Sequence, residues 1–212
     1  MALKARIENG IIYSPYPSEP LPEMSIYQVV KLCFAQHGNR NALVYDDGSI
    51  TFEELLKMFQ RYAAGFQGHG VTKGEKVLVH LDNSPENTIA MFSVVFAGAV
   101  AVTSDPILSK DDILYRIRHS NATYILTTES EASRLRDMLD MIHMKGYFTT
   151  GTAPGFVSVT EFKKLDENTY EEVPVENVKN EVAVLIYTSG TTGIPKAIEL
   201  THLSLMPSLP RP

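Results

Sequence analysis

Residues 187–196 read Tyr-Thr-Ser-Gly-Thr-Thr-Gly-Ile-Pro-Lys, and residue types in that order suit one task. Gly190 and Gly193 lack a Cβ, so the backbone there can approach a ligand closely and adopt dihedrals closed to other residues. Thr188, Ser189, Thr191 and Thr192 gather four hydroxyls among the backbone N–H groups. Pro195 stiffens the exit, and Lys196 sets one cation beside the cluster. Oriented amides, hydroxyls and an ammonium group together make a nest for a polyphosphate. A triphosphate carries more charge than one lysine balances, so the remainder falls to the amides and to a divalent cation, Mg²⁺. A turn of Gly, Ser and Thr that binds nothing explains many short loops, but nine consecutive residues so arranged, 188–196, weigh against it.

The chain around the loop must position it. Residues 182–187 are an apolar strand and 197–200 resume extended structure, so the loop joins two strands. A P-loop of the form Gly-x4-Gly-Lys-Ser/Thr opens a helix instead. Lys196 lies between Pro195 and Ala197, which fails that pattern in spacing and in context. Strand 182–187 is apolar on both faces and requires covering layers; left bare it would be an aggregation-prone edge.

Upstream, residues 1–24 with Pro15, Pro17, Pro20 and Pro22 form an extended lead-in. Ser25 opens a helix with Gln28 at capping-box spacing and Ile26, Val29, Val30, Cys33 and Phe34 on one stripe, closed by Gly38. Residues 42–45 form a short strand that Asp46-Asp47-Gly48 folds back through Ser49 and Ile50. Thr51 caps a second helix with Glu54 three residues on; its inward face is Leu55, Leu56, Phe59, Tyr62, Ala63 and Phe66, and it ends near Gly68 or Gly70. Strands are expected at 76–81, 99–103, 123–127 and 147–149. Helices separate them, started by Ser84-Pro85, by Ser109, and at about residues 131–143. Apolar strands alternating with helices predict an α/β fold, a doubly wound, mostly parallel sheet with flanking helices. Residues 150–180 read as a polar surface crossover in which 157–159 can pair as a strand. Residues 25–206 are thus one incomplete domain. The tail 207–212 holds three prolines and reads as a stop where a fold ordinarily continues.

Composition narrows the partners. The 212 residues carry a net charge of −6 and are 44% hydrophobic, enough for a real core and without the basic field that attracts nucleic acid. The longest apolar run, 89–102, is short of the roughly 20 residues a membrane span needs. A single cysteine, Cys33, allows no intramolecular disulfide and sits on a helix's apolar face as a small buried hydrophobe. The six histidines are scattered without zinc-ligand spacing. Asp46-Asp47 and Asp111-Asp112 read as turn and helix N-terminal charge rather than a catalytic carboxylate pair.

Tyr187-Thr-Ser-Gly-Thr-Thr-Gly-Ile-Pro-Lys196, followed by Leu200-Thr201-His202, resembles the signature of the adenylate-forming (AMP-binding) superfamily, which includes acyl-CoA synthetases, 4-coumarate-CoA ligases and firefly luciferase-like enzymes. Thr51-Phe-Glu-Glu-Leu55, Val71-Thr-Lys-Gly-Glu-Lys-Val77, Asn83-Ser-Pro-Glu86 and Ala97-Gly-Ala-Val-Ala-Val102 are similar to the same family, so the resemblance runs from about residue 25 to 204. It implies an N-terminal fragment, part of the large N-terminal domain of an acyl-CoA synthetase-like fold. The implied activity is that of an acid–thiol ligase: ATP activates a fatty or aryl carboxylic acid to an acyl-adenylate, and coenzyme A takes the acyl group. ATP, Mg²⁺ and coenzyme A are the implied cofactors and a small carboxylic acid the implied partner. By motif position, Thr188, Ser189, Gly190, Thr191, Thr192 and Gly193 would hold the β- and γ-phosphates, with Lys196 as counter-charge.

The family's adenine and ribose contacts, acyl pocket, magnesium-binding glutamate, hinge and mobile lysine have no counterpart after His202, so no catalytic or metal residue is assigned. Two expectations follow: a ligase fragment keeping the phosphate site, or a non-catalytic remnant serving as a structural or interaction module. A cytoplasmic location is expected, the final Pro-Arg-Pro not being a peroxisomal Ser-Lys-Leu. Ala197 stands where the family pattern has glycine, a change costing about 1 kcal/mol at positive φ and little in β geometry.

Overall fold

The helices begin where short hydroxyl side chains can satisfy the first unpaired amides. In the computed structural model, which describes residues 4–16, 20–188 and 195–209, a hairpin of β1 (Arg6–Glu8) and β2 (Ile11–Tyr13) comes first. The sequence reading passed over it; its signal is Asn9-Gly10, at φ 50° and 77°, the left-handed pair of a tight hairpin turn. Helix α1 (Ile26–His37) starts at Ser25 in a complete capping box with Gln28. The hairpin β3 (Asn41–Tyr45) and β4 (Gly48–Thr51) forms a small sheet of its own and delivers Thr51 to cap α2 (Phe52–Gly68). The Thr51 hydroxyl accepts from the Glu54 amide at 3.2 Å, and the Glu54 carboxylate accepts from the Thr51 amide at 3.0 Å. Thr51→Ala removes the first acceptor and is expected to cost about 1 kcal/mol, a drop in melting temperature of about 2–4 °C. Thr51→Ser should restore most of it in the same melt; equal losses from both would show that the hydroxyl does not cap.

The main sheet follows from period-two alternation. Its strands are β5 (Lys76–His80), β6 (Val100–Ser104), β7 (Tyr124–Thr127), β8 (Gly146–Thr149), β9 (Val157–Ser158), β10 (Val182–Thr188) and β11 (Lys196–Thr201). They lie in the order β11-β10-β6-β5-β7-β8-β9, parallel throughout except for the β10–β11 pair. Val77, Val79, Ala101, Leu126, Phe148 and Ala183 face one core with α1, α2 and α3 (Pro85–Phe96). Leu78, Val100, Val102, Ile125 and Leu185 face the other with α4 (Lys110–Ser120) and α5 (Glu129–Leu139). Strands β5, β6, β7 and β10 therefore bury both faces, the doubly wound arrangement expected from the sequence.

Three details differ from the sequence reading. Helix α5 starts two residues early because the Thr128 hydroxyl accepts from the Glu131 amide, and it ends at Leu139 rather than near residue 143. Val159 leaves the strand to begin a 3-10 helix, Val159–Lys164, and is fully buried. Strand β10 is not an edge: β11 pairs along it, and Ala183 and Leu185 are buried. The sheet ends instead at β11, where exposed Lys196 and Glu199 are the charged residues that discourage edge pairing.

The crossover from β9 to β10 returns across the whole sheet over the α1–α3 side, and side chains tie it down. Arg61 pairs with Glu167 at 2.7 Å, Gln67 donates to the Glu171 carbonyl at 2.8 Å, and Tyr170 donates to the Phe96 carbonyl at 3.0 Å. Phe162 fills the core beneath it, stacked edge-on against Phe66 and Tyr62.

Candidate phosphate-binding site

In a doubly wound sheet the chain leaves neighbouring strands toward opposite faces, and the crevice between those exits lies at the carboxyl ends of the strands. Here β5 exits to α3 on one face, while β6 exits to α4 on the other. Strand β10 runs parallel beside β6, with Val184 opposite Ala101 and Leu185 opposite Val102, so its carboxyl end opens at the same place. Leu81, Asp82, Asn83, Thr103, Asp105 and Tyr187 line a crevice of about 570 Å³ there. A second hollow, of about 540 Å³, lies at the opposite end of the sheet beneath the crossover; Lys73 and Glu181 on its rim are paired at 2.8 Å.

Of the site residues read from the sequence, Thr188 and Lys196 are described, and the antiparallel register sets them opposite each other as the last pair of β10 and β11. Ser189, Gly190, Thr191, Thr192 and Gly193 lie outside the described residues. Thr188 and Lys196 are therefore the two posts between which that segment runs. Ala197 pairs with Tyr187 and is not among the positive-φ residues, so alanine at this position costs little.

Helix α4 holds both sides of the loop stem, which the sequence reading did not foresee. The Arg116 guanidinium stacks over the Tyr187 ring at 4.7 Å and donates to the Thr103 carbonyl at 2.9 Å. The Tyr187 hydroxyl lies 3.0 Å from His119 Nδ1, and the Tyr115 hydroxyl reaches the Pro195 carbonyl at 3.5 Å. Burial pushes the Tyr187 hydroxyl up, with Tyr115 adding to it and Arg116 opposing. Burial also lowers Arg116 from its usual value. The available signal was position: Tyr115, Arg116 and His119 lie off the core stripe of Ile113 and Ile117, where solvent-facing residues need no aromatic rings.

On the exit side, His202 accepts the Ile26 amide on Nδ1 at 3.3 Å, and its own amide donates to the Glu181 carbonyl at 3.1 Å. This joins the strand leaving the loop to the start of α1. Among the described residues no group of three or more His, Cys, Asp or Glu side chains is placed to hold a metal ion. Cys33 is buried, its thiol pushed up by burial.

Residues 31–209 match the family model described as AMP-binding enzyme. The chain belongs to this family. AMP-binding relatives include the long-chain-fatty-acid–CoA ligase of Bacillus subtilis (strain 168), 25% identical over 225 residues, covering 90% of this chain and 40% of that protein. Another is the 3-hydroxybenzoate–CoA/4-hydroxybenzoate–CoA ligase of Thauera aromatica, 32% identical over 176 residues, covering 80% of this chain and 33% of that one. A crystal structure of a long-chain-fatty-acid–CoA ligase from Archaeoglobus fulgidus superposes with a TM-score of 0.81 at 23% identity, over 96% of this chain and 41% of that one; at that identity the likeness shows the fold. The chain thus spans well under half the length of these AMP-binding relatives. No helix among the described residues is long and apolar enough to cross a membrane.

Proposed function

We propose that this chain carries the phosphate-binding part of an ATP-dependent ligase that converts a small carboxylic acid, fatty or aryl, to an acyl-adenylate and then to a coenzyme A thioester. One observation supports the reading above the others: a hydroxyl, Thr188, and an ammonium group, Lys196, face each other at the carboxyl end of the sheet, flanking a segment rich in glycine and hydroxyls. Among the described residues the Lys196 ammonium has no ion-pair partner, so its charge is available to an anion. Mg²⁺ suits the remaining phosphate charge and, when bound, would supply charge neutralisation. The protein's own part is to orient the phosphates through amides, Thr188, Ser189, Thr191, Thr192 and Lys196, because this chemistry depends on positioning more than on covalent work by the enzyme. The ligases of fatty, hydroxybenzoic and coumaric acids among the relatives support a carboxylic acid as substrate.

Calorimetric titration with Mg-ATP tests the assignment. Lys196→Ala should weaken binding about tenfold, the scale of one charge-assisted contact, with Lys196→Arg intermediate. Unchanged affinity after Lys196→Ala and Thr191→Ala are combined would refute it. Carboxylate-dependent exchange between ATP and pyrophosphate then separates two roles for the 212-residue protein. Robust exchange rules out a purely structural or interaction module, whereas Mg-ATP binding without exchange rules out independent catalysis.

A further inference from the structure

The hollow beneath the crossover lies at the amino ends of the strands, away from the loop, and its wall holds two donors that no described residue engages. Lys76, Val100 and Val182, the first residues of β5, β6 and β10, border it. Val95, Phe96 and Val173 add apolar surface. At about 540 Å³ it has the size of a small-molecule site. His202 and Ser25 also line it, and they are only 8% and 4% exposed.

The partners of these two residues determine where their protons sit. The Ile26 amide lies 3.3 Å from His202 Nδ1, and a backbone N–H can only donate. Nδ1 is therefore bare, and the single proton of the neutral ring is on Nε2. Burial favours that neutral ring; Glu181 favours and Lys73 disfavours its charging. Among the described residues Nε2–H meets no acceptor. The one side-chain polar atom there that is both sealed and unpartnered is the Thr123 hydroxyl, so Nε2–H opens on the space beside it. The Ser25 hydroxyl accepts from the Gln28 amide at 3.1 Å, which uses a lone pair and leaves its proton to donate. His80, the other buried histidine, differs: its Nε2 lies 3.2 Å from Glu131 and its Nδ1 3.0 Å from Ser104.

An apolar wall with unengaged donors suits a molecule that has an apolar body and an acceptor. The charged side chains around the hollow do not select an anion. Glu176, Glu181 and Glu199 stand against Lys73 and Lys76, and the Lys73–Glu181 pair leaves two carboxylates to one ammonium group. A neutral carbonyl meets the donors without that opposition.

We propose that this hollow is a binding site for a neutral, largely apolar molecule bearing a carbonyl group, whose oxygen accepts the Nε2–H of His202. The site stands at the opposite end of the sheet from the loop and does not depend on the phosphate reading.

The test uses the full chain and two probes of nearly the same shape, acetophenone and ethylbenzene, titrated by ligand-observed NMR. Acetophenone should bind about fivefold more tightly, the scale of one ordinary hydrogen bond. His202→Asn supplies an oxygen in place of Nδ1 and nothing in place of Nε2–H, so it should erase that preference and leave ethylbenzene unchanged. Benzoate, the same ring with a charged head, should bind more weakly than acetophenone. Nitrogen-15 spectra of the unsubstituted protein should place the His202 proton on Nε2, and that proton should shift with acetophenone but not with ethylbenzene, a readout that needs no variant to fold. A proton on Nδ1, no acetophenone binding, a preference that survives His202→Asn, or tighter binding of benzoate each overturns the proposal. Displacement of acetophenone by inorganic tripolyphosphate would put the ketone in the phosphate site and overturns it too, while leaving the loop assignment intact.

Discussion

Gly65→Val is expected to lower the stability of the protein by about 3 kcal/mol or more, the upper range for forcing methyl groups into a packed core. For a chain of this size that lowers the melting temperature by about 6–12 °C. Helix propensity argues the other way, since glycine inside a helix costs about 1 kcal/mol relative to alanine, and Gly65 lies inside α2. Packing decides between them. A Cβ at Gly65 would stand 2.3 Å from two ring atoms of Phe162, closer than any real contact. Phe162 is buried and held edge-on by Phe66 at 5.6 Å and Tyr62 at 6.1 Å, so the ring has no room to retreat. Even Gly65→Ala should therefore destabilise, by about 1–3 kcal/mol. Combining it with Phe162→Leu should cost less than the two changes summed, because they share one space. Urea unfolding of the four proteins measures both effects. A Gly65→Ala protein more stable than the parent would mean that the crossover does not pack onto α2 as described.

Gly65 also shows where sequence reasoning stops. The helix itself was legible: Thr51, Glu54 and the stripe from Leu55 to Phe66 carry its start and its buried face in a local pattern of period 3.6. Nothing local says that Phe162, nearly a hundred residues on, needs the missing Cβ. The same division holds at the site. The candidate loop is legible because glycines, hydroxyls and a lysine fall within one short stretch. Its supports, Tyr115, Arg116 and His119, are set by the path of α4 across the sheet, and that path depends on strand order, which no periodicity encodes. His80 is the clearest case. In sequence it ends an apolar run with no ligand spacing. Only the parallel pairing of β5 with β6, which sets His80 opposite Ser104, turns it into the centre of a polar chain. The partner that covers β10 was not legible for a related reason: the loop reverses the chain into antiparallel β11, and a strand's neighbours cannot be read from its own residues.

Stability should fall as the pH is lowered from about 7 through the ordinary histidine value of 6.5, well before any carboxylate titrates. His80 and His202 are both buried, and burial, the dominant influence on each, lowers their pKa in the folded protein against the opposing pull of Glu131 and Glu181 respectively. Below 6.5 the unfolded chain therefore binds protons that the folded one refuses, and stability drops with every step down until the folded imidazoles also charge. The carboxylates act in a lower window. Burial raises Glu75, Glu131 and Glu181, but Lys145 with Thr72, Arg134 with His80, and Lys73 with the Asn177 and Glu176 amides outweigh it, leaving all three below 4.5. Their contribution is complete above the unfolded value and is lost as the pH falls through the folded ones. Urea unfolding against pH should thus show two declines, and the first should vanish in His80→Gln/His202→Gln, which starts less stable at neutral pH but stays flat across the histidine range. His80 decides the sign. If the nearby carboxylate outweighed burial, the folded ring would hold its proton more tightly than the unfolded one, and acidification toward pH 5 would stabilise the protein. In that charged ring both nitrogens donate, so the Ser104 hydroxyl, 3.0 Å from Nδ1, would then be the acceptor.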